Sequence, residues 1–179
     1  MHSWRVLLLP YLEQQDLFEA YDFSEPWNGP GNSKLASQRP RTYLLHGVEA
    51  PGGSTTNYLA VVGEGTPWHA GRKMNHKMME NAADRTIRVV ENVGSGISWM
   101  EPRDLDFNTM VMSLKDDPKN GISSWLQPPA VSMADGSSKT LSMDLTEDEV
   151  RRMLLIDDDQ DLPEGVNDIE DGRERLMRE

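Results

Sequence analysis

The chain has 179 residues, a net charge of −12 and no cysteine. The length suits one domain with a sizeable core, and the missing cysteines exclude disulfide bonds and thiolate metal sites. The strong negative charge argues against nucleic acid and anionic membrane surfaces as partners. Apolar runs such as residues 6–9 are far shorter than the ~20 residues that cross a bilayer, so no membrane span is predicted in this chain.

The first element in chain order is an aromatic and apolar opening over residues 1–28. Its residues 3–9 are predicted to be extended, and Pro10 then begins a helix that ends near residue 22. Trp4 and Leu8 are expected to be buried, because the apolar side chains of this stretch recur at roughly helical spacing. The turn that follows, EPWNGPGN, is predicted to be fixed, since Pro restrains the backbone and Gly permits positive φ.

Two later segments have clear strand character. Residues 58–62 and 86–92 are rich in β-branched and apolar side chains, which favours strands. A glycine-rich turn follows the second of these segments. It is predicted to join that segment to residues 97–100 as a hairpin.

A second hairpin and a capped helix follow. Asp135-Gly136 is a strong turn signal, and it predicts that residues 130–134 pair with residues 138–143. Thr146 and Glu149 have the spacing of a capping box, which opens a short C-terminal helix. The chain is therefore predicted to be α+β, with an antiparallel sheet, a short N-terminal helix and a short C-terminal helix.

Residues 157–179 differ in composition from the rest of the chain. They contain ten acidic and three basic residues, a net charge of −7, whereas the preceding residues carry −5. A polar segment of this charge density is predicted to be solvated and largely disordered. The sequence therefore divides into a globular domain, residues 1–156, and an acidic tail, residues 157–179.

Asp157, Asp159 and Asp161 in this tail have the alternate spacing that opens a calcium-binding EF-hand loop. The match then fails, because Leu162 stands where that loop needs Gly and Asp168 stands where a bidentate Glu is usual. A plain acidic tail is the competing interpretation. We expect at best a loose, salt-sensitive association of calcium, and no cofactor.

Trp68 and Trp125 are the candidate ligand-binding residues. Both lie in stretches of loop character, where an indole ring can stack on a sugar or on a partner protein. Trp4, Trp27 and Trp99 are instead interpreted as core or turn anchors.

The sequence contains no recognisable catalytic motif. It has no P-loop and no G-x-S-x-G elbow, and its four histidines lack the H-E-x-x-H spacing of a zinc site. Glu13 and Glu25 lie near aromatic residues and can be considered as a carboxylate pair. The competing interpretation is solvation of a helix face and hydrogen bonding within a turn. We therefore expect that the protein is not an enzyme.

Two blocks of the opening, SWRVLLLPYLEQQ and YDFSEPWNGPGN, closely resemble a large planctomycete family called domain of unknown function 1559. Further matching blocks are NYLAVVG at 57–63, TIRVVE at 86–91, WMEPRDL at 99–105 and ADGS at 134–137. The resemblance covers residues 2–156. Members of this family typically begin with a prepilin-type signal and a long apolar helix, followed by a pilin-like head. The resemblance therefore implies a pilin-like head in an extracytoplasmic location, either the periplasm or the cell surface.

The leading functional hypothesis is a non-enzymatic, pseudopilin-like structural or interaction protein, in a setting such as type II secretion. Its expected partners are proteins, including other pilin-like subunits. The alternative is an extracellular module that binds polysaccharide or another ligand through its loop tryptophans. The long helix of the family does not occur in this sequence, so we expect either a soluble head or a shortened member.

Overall fold

The computed structural model describes residues 1–45, 53–69, 71, 79–116, 119–156 and 161–169. The described residues combine short helices with a five-stranded sheet, so the predicted α+β class is confirmed. None of the helices in these ranges has the length and apolar character needed to cross a membrane. The chain divides into two compact units, the first made of Met1–Tyr58 and Gly96–Asp104 and the second of Leu59–Ser95 and Leu105–Glu179.

The first unit opens with consecutive short helical segments rather than one continuous helix. These segments are α1 (Trp4–Leu7), a 3₁₀ helix (Leu9–Leu12), α2 (Gln15–Ala20) and two further 3₁₀ helices (Asn32–Gln38 and Arg41–Tyr43). The prediction of an extended start is wrong because Ser3 caps α1, and its Oγ accepts a hydrogen bond from the Arg5 backbone N–H at 3.2 Å. Pro10 lies in the first turn of the 3₁₀ helix, where its missing N–H costs nothing.

An apolar cluster forms the core of the first unit. Its buried members are Val6, Leu9, Leu17, Tyr21, Tyr43, Trp99 and Met100. The Trp99 indole Nε1 donates to the Ala36 carbonyl oxygen at 3.0 Å, so Trp99 is a core anchor as expected. Leu8 was predicted to be buried but is 39% exposed, because Val6 and Leu9 occupy the inward face of this segment.

The second unit is built on the five-stranded sheet. The strands are β1 (Tyr58–Leu59, where the chain passes from the first unit into the second), β2 (Val61–Val62), β3 (Ile87–Glu91), β4 (Leu105–Asp106), β5 (Ala130–Met133), β6 (Ser138–Leu141) and β7 (Val166–Asp168). The strand order of the sheet is β1-β3-β5-β6-β7, and the β3–β5, β5–β6 and β6–β7 pairs are antiparallel. β2 and β4 form a separate parallel pair.

β3 confirms the strand predicted at residues 86–92, but its faces do not alternate simply. Val90 lies opposite Val131 of β5, and a register shift occurs between Ile87 and Val89. Such an irregularity rotates part of the strand, so buried side chains occur at both odd-numbered and even-numbered positions of β3.

The hairpin predicted to follow β3 is not formed. The Asn92 Oδ1 accepts hydrogen bonds from the backbone N–H groups of Gly94 and Ser95, at 3.1 and 2.7 Å. This side chain-to-backbone turn ends the strand before a hairpin register is established. Within the first unit, Ser98 forms an isolated antiparallel bridge with Thr55 instead.

Two predictions from local sequence signals are confirmed. β5 and β6 form the second hairpin, and Gly136 in its turn has φ +94°, a conformation that favours glycine. Thr146 caps α3 (Glu147–Met153): its Oγ1 accepts from the Glu149 backbone N–H, and the Glu149 carboxylate accepts from the Thr146 N–H at 2.7 Å. The side chains that this helix turns inward are Val150, Met153 and Leu154.

β7 lies within the segment that was predicted to be a disordered acidic tail. Asn167 of β7 lies opposite Thr140 of β6, and Lys139 Nζ lies 2.7 Å from Asp168 Oδ1. The prediction of disorder is wrong at this strand, because β6 offers a backbone edge and a lysine to an acidic segment. The domain boundary after residue 156 stays a prediction.

Candidate interaction surface

A buried ion pair fixes the N-terminal helical segment within the first unit. Arg5 is fully buried, and its Nη2 lies 2.7 Å from Oδ1 of Asp104, whose side chain is 7% exposed. The guanidinium also donates to Ser3 Oγ and to the carbonyl oxygens of Tyr58 and Arg103, over 2.9–3.3 Å. Burial lowers the pKa of Arg5, and the charge of Asp104 opposes that shift. These contacts give α1 a defined position.

Trp4 and Tyr43 make further contacts with the Arg5–Asp104 pair and its backbone. Trp4 is half-buried, its indole Nε1 lies 3.2 Å from both carboxylate oxygens of Asp104, and the Arg5 guanidinium carbon lies 4.7 Å from the centre of its ring. The Tyr43 hydroxyl donates to the Arg5 carbonyl oxygen at 2.5 Å, and burial raises the pKa of Tyr43. Trp4 is therefore an anchor, but one that acts through polar contacts rather than through complete burial.

We call α1 and the 3₁₀ helix that follows it the anchored segment. Three large apolar side chains face outwards from it. Leu7 is 52% exposed, Leu8 is 39% exposed and Tyr11 is 82% exposed. The Tyr11 N–H donates to the Leu8 carbonyl oxygen at 2.9 Å, so the two residues lie one 3₁₀ turn apart, where side chains align. We call Leu7, Leu8 and Tyr11 the apolar ridge.

The exposed charges of this part of the chain are acidic. Among residues 1–33 the single Lys or Arg is Arg5, which is buried and paired. The His2 Nδ1 lies 3.0 Å from the Tyr21 hydroxyl. The acidic residues of the same stretch are Glu13, Asp16, Glu19 and Asp22, which are exposed, and Glu25, which is half-buried.

An open groove begins two residues after Tyr11. Its volume is about 400 Å³, and its lining residues are Glu13, Gln14, Gln15, Asp16, Leu17 and Gln38. Glu13 has φ +58°, in the left-handed region, which bends the chain between the 3₁₀ helix and α2. The Gln15 Nε2 donates to Glu19 Oε1 at 2.8 Å. The groove therefore presents mainly carboxylate and amide groups. We call it the acidic groove.

Glu25 does not share a site with Glu13. One Glu25 carboxylate oxygen accepts a short hydrogen bond from the Asn32 backbone N–H, and a Cβ added at Gly31 would lie 2.6 Å from Glu25 Oε1. Asn32 is fully buried and bonds the backbone N–H and carbonyl of Asp22 at 2.9 and 2.8 Å. Glu25 thus supports the predicted turn, and hydrogen bonding within the turn is the interpretation that the structure favours.

The two candidate tryptophans differ in their surroundings. Trp68 is half-buried, its Nε1 donates to the Arg88 carbonyl oxygen at 2.6 Å, and the Arg88 guanidinium carbon lies 5.7 Å from the ring centre. Trp125 is 56% exposed. Trp125 therefore keeps an accessible ring, whereas the N–H group and part of the ring of Trp68 are engaged with Arg88. Trp27, expected to be an anchor, packs against the core of the first unit.

The structure describes one of the three candidate calcium ligands. Asp157 and Asp159 lie outside the described residues, and Asp161 lies within them. In the described part of the chain, no group of three or more His, Cys, Asp or Glu side chains is placed to hold a metal ion. The calcium site stays a prediction at the level of the sequence.

The sequence pattern does not identify the ridge or the groove. It assigns Leu8 to the buried face, because the apolar residues recur at roughly helical spacing. The sequence does contain one indication of the ridge. Val6 and Leu9 are three residues apart, so a helical turn that buries both of them leaves Leu8 and Tyr11 on another face. The groove has no local signal, because Gln38 comes from a later 3₁₀ helix.

Most of the chain, residues 1–144, matches the model of the family described as a protein of unknown function (DUF1559). The matched part includes the anchored segment, the ridge, the acidic groove and strands β1 to β6. No curated protein and no solved structure matches the chain. Because the family model spans well over half of the sequence, the chain belongs to the DUF1559 family, as the blocks of its opening indicated.

Proposed function

We propose that this protein is a pilin-like extracytoplasmic head that works through contacts with other proteins and has no catalytic activity. The observation that carries the proposal is the apolar ridge, which faces outwards from a segment held by the buried Arg5–Asp104 pair. Large apolar side chains in water are unfavourable, and a partner that covers them gains free energy. The ridge is therefore the surface at which we place the contact.

The family resemblance supports the pilin-like part of the proposal. The block that resembles the start of a pilin-like head is the same block that forms α1, the first 3₁₀ helix and α2. The absence of cysteine fits a periplasmic or cell-surface location, where thiols oxidise. We place the partners among proteins, including other pilin-like subunits of a planctomycete apparatus of the type II secretion kind.

Buried polar groups with a structural role support the non-enzymatic part of the proposal. The Glu91 Oε2 accepts from the Ala130 backbone N–H at 2.9 Å, and the Asn92 Nδ2 donates to the Gly121 carbonyl oxygen at 2.8 Å. Asn32 bonds backbone groups of its own turn in the same manner. Each of these side chains satisfies backbone groups that burial has removed from water.

A photo-crosslinking amino acid placed at Tyr11 in the producing cell tests the proposal. Illumination is expected to join the protein to a defined protein partner, because Tyr11 is the most exposed residue of the ridge. The same substitution at Glu147, an exposed position on α3, is the control and should give no such adduct. The same adducts at both positions, or no protein adduct at Tyr11, would contradict the proposal.

Trp125 favours a second candidate function, a module that binds polysaccharide or another extracellular ligand. Its ring is 56% exposed, and exposed indole rings stack well on sugars. On a glycan array, Trp125→Ala is expected to abolish the signal. Trp68→Ala should retain it, because the Trp68 indole is already held by Arg88. No glycan signal from the parent, or a signal unchanged in Trp125→Ala, rules out glycan binding through Trp125.

A further inference from the structure

We infer that the apolar ridge and the acidic groove together bind a segment of a partner protein that carries both apolar and basic side chains. The inference rests on the proposed function and adds the chemistry of the partner. Apolar side chains of the segment cover Leu7, Leu8 and Tyr11. A lysine or arginine head group enters the groove between Glu13 and Asp16.

The exposed charged side chains of the first 33 residues favour a basic partner. The exposed charged side chains of residues 1–33 are all acidic, and the one arginine of that stretch is buried against Asp104. An acidic segment placed on the ridge would bring like charges together, whereas a basic segment would find complementary charge. An uncharged apolar segment would leave the carboxylates of the groove without a partner.

The lining of the groove suits a cationic head group. Glu13 and Asp16 supply carboxylates, and Gln14 and Gln38 supply amide oxygens, around an open volume of about 400 Å³. Lysine and arginine carry several N–H donors and no acceptor, so a set of oxygen acceptors satisfies them. Within the described residues neither Glu13 nor Asp16 has an ion-pair partner in the chain itself.

The ridge and the groove are held by the same local structure. Leu9 and Leu17 are both buried in the core of the first unit, on either side of the bend at Glu13. The Gln14 backbone N–H donates to the Leu9 carbonyl oxygen at 3.0 Å, which closes that bend. One bound segment can therefore contact Tyr11 and reach Glu13 without any rearrangement of the backbone.

A different protein fits this surface better than a second copy of the chain. A symmetric dimer places the same patch of each copy against the other. Here that would bring Glu13 and Asp16 of one copy towards their counterparts, in a chain whose net charge is already −12. Like charges brought together in this way oppose association.

Binding of short labelled peptides to the full chain, measured by fluorescence anisotropy at about 0.15 M ionic strength, tests the inference. The probes are a peptide of leucine and lysine, its counterpart with glutamate in place of lysine, and its counterpart with serine in place of leucine. The leucine–lysine peptide alone is expected to bind well. Glu13→Gln with Asp16→Asn is expected to weaken that binding by about tenfold, as for the loss of two partly exposed ion pairs.

The matched control is Glu147→Gln with Asp148→Asn, which makes the same change in net charge at exposed positions of α3. It is expected to weaken binding less than about twofold, since neither residue lines the acidic groove. Equal weakening by both pairs of substitutions would show that the overall charge attracts the peptide, and would overturn the inference. Equal binding of the lysine and glutamate peptides would overturn it as well.

Two further outcomes separate this inference from the proposed function. A protein adduct at Tyr11 whose partner segment lacks basic residues keeps the proposed function and overturns the inference. Peptide binding as expected, with no adduct at Tyr11 in cells, overturns the proposed function alone. Self-association in sedimentation equilibrium that Tyr11→Ser abolishes would identify a second copy as the occupant, and it too would overturn the inference.

Discussion

Arg5 is the residue on which the geometry of the ridge depends. Its partner Asp104 lies 99 positions away in the sequence, and its remaining donors bind Ser3 and two carbonyl oxygens. A buried guanidinium is tolerated only when its charge and its donors are all matched in this way. Because Arg5 belongs to α1, these contacts position the helix in which Val6 is buried and Leu7 is 52% exposed.

Removing the positive charge of this pair should be costly. Arg5→Met leaves Asp104 as a buried carboxylate without its charged partner, and it is expected to lower the free energy of unfolding by about 3–5 kcal/mol. Arg103→Met is the control: the Arg103 side chain is 58% exposed and pairs with Glu101, so the expected loss is below about 1 kcal/mol. Urea unfolding of both variants measures the difference. Equal losses would contradict an anchoring role for Arg5.

At the level of elements, α3 has a capping box that responds to pH. The Thr146 hydroxyl and backbone N–H donate to Glu149 Oε2 at 2.6 and 2.7 Å, and these hydrogen bonds hold the pKa of Glu149 below its usual value. Since the pKa is lower in the folded state, the box stabilises the fold above the unfolded-state pKa. That contribution is lost as pH falls through the folded-state pKa.

Glu149→Gln isolates this contribution, because glutamine keeps the shape of the side chain and does not titrate. We expect the variant to melt below the parent at about pH 7 and closer to the parent at about pH 3, because protonation of Glu149 as pH falls removes the charge that the cap stabilises. Thermal melts at the two pH values measure both differences. A difference that does not change with pH would show that the charge of Glu149 adds nothing to the cap.

The elements that could be predicted from the sequence are those set by neighbouring residues. The capping box and the Asp135-Gly136 hairpin act over two or three positions, so the pattern itself contains their cause. The contact between Arg5 and Asp104, which gives α1 its position, joins residues 99 positions apart, and no local pattern contains it. The site could not be predicted for the same reason, although its acidic residues were visible in the sequence.

The same reasoning explains the strand pairing that was predicted wrongly. The apolar run of β3 identifies a strand, but not its partner in the sheet. The Asn92 side chain turns the chain at Gly94 and Ser95, and β5, about forty residues later, provides the neighbouring strand. Pairing between distant strands is decided by tertiary contacts, which composition alone does not specify.

At the scale of the whole molecule, β7 ties the acidic C-terminal segment to the sheet. A chain ending at residue 156 loses the β6–β7 pairing, the Lys139–Asp168 contact and the hydrogen bond from the Ser142 N–H to the Gly165 carbonyl at 2.8 Å. We expect a loss of about 1–2 kcal/mol, which lowers Tm by about 2–8 °C. A chain ending at residue 169 keeps these contacts and should melt like the parent. Identical melts of the two truncated chains would mean that β7 adds no stability.

The charge of the whole chain and the ridge lead to the same kind of partner. A net charge of −12 keeps copies apart, while an exposed apolar ridge favours association. A partner with basic and apolar side chains satisfies both. The central claim is therefore that a partner protein covers the apolar ridge in the producing cell.

Oxidative footprinting, with hydroxyl radicals applied both to intact producing cells and to the purified protein, tests this claim most directly. Tyr11 is 82% exposed and Trp125 is 56% exposed in the isolated chain, so both should be oxidised readily in the purified protein. In cells, we expect Tyr11 to be protected and Trp125 to be oxidised as before. Equal oxidation of Tyr11 in cells and in the purified protein would contradict the claim that the ridge is a protein contact.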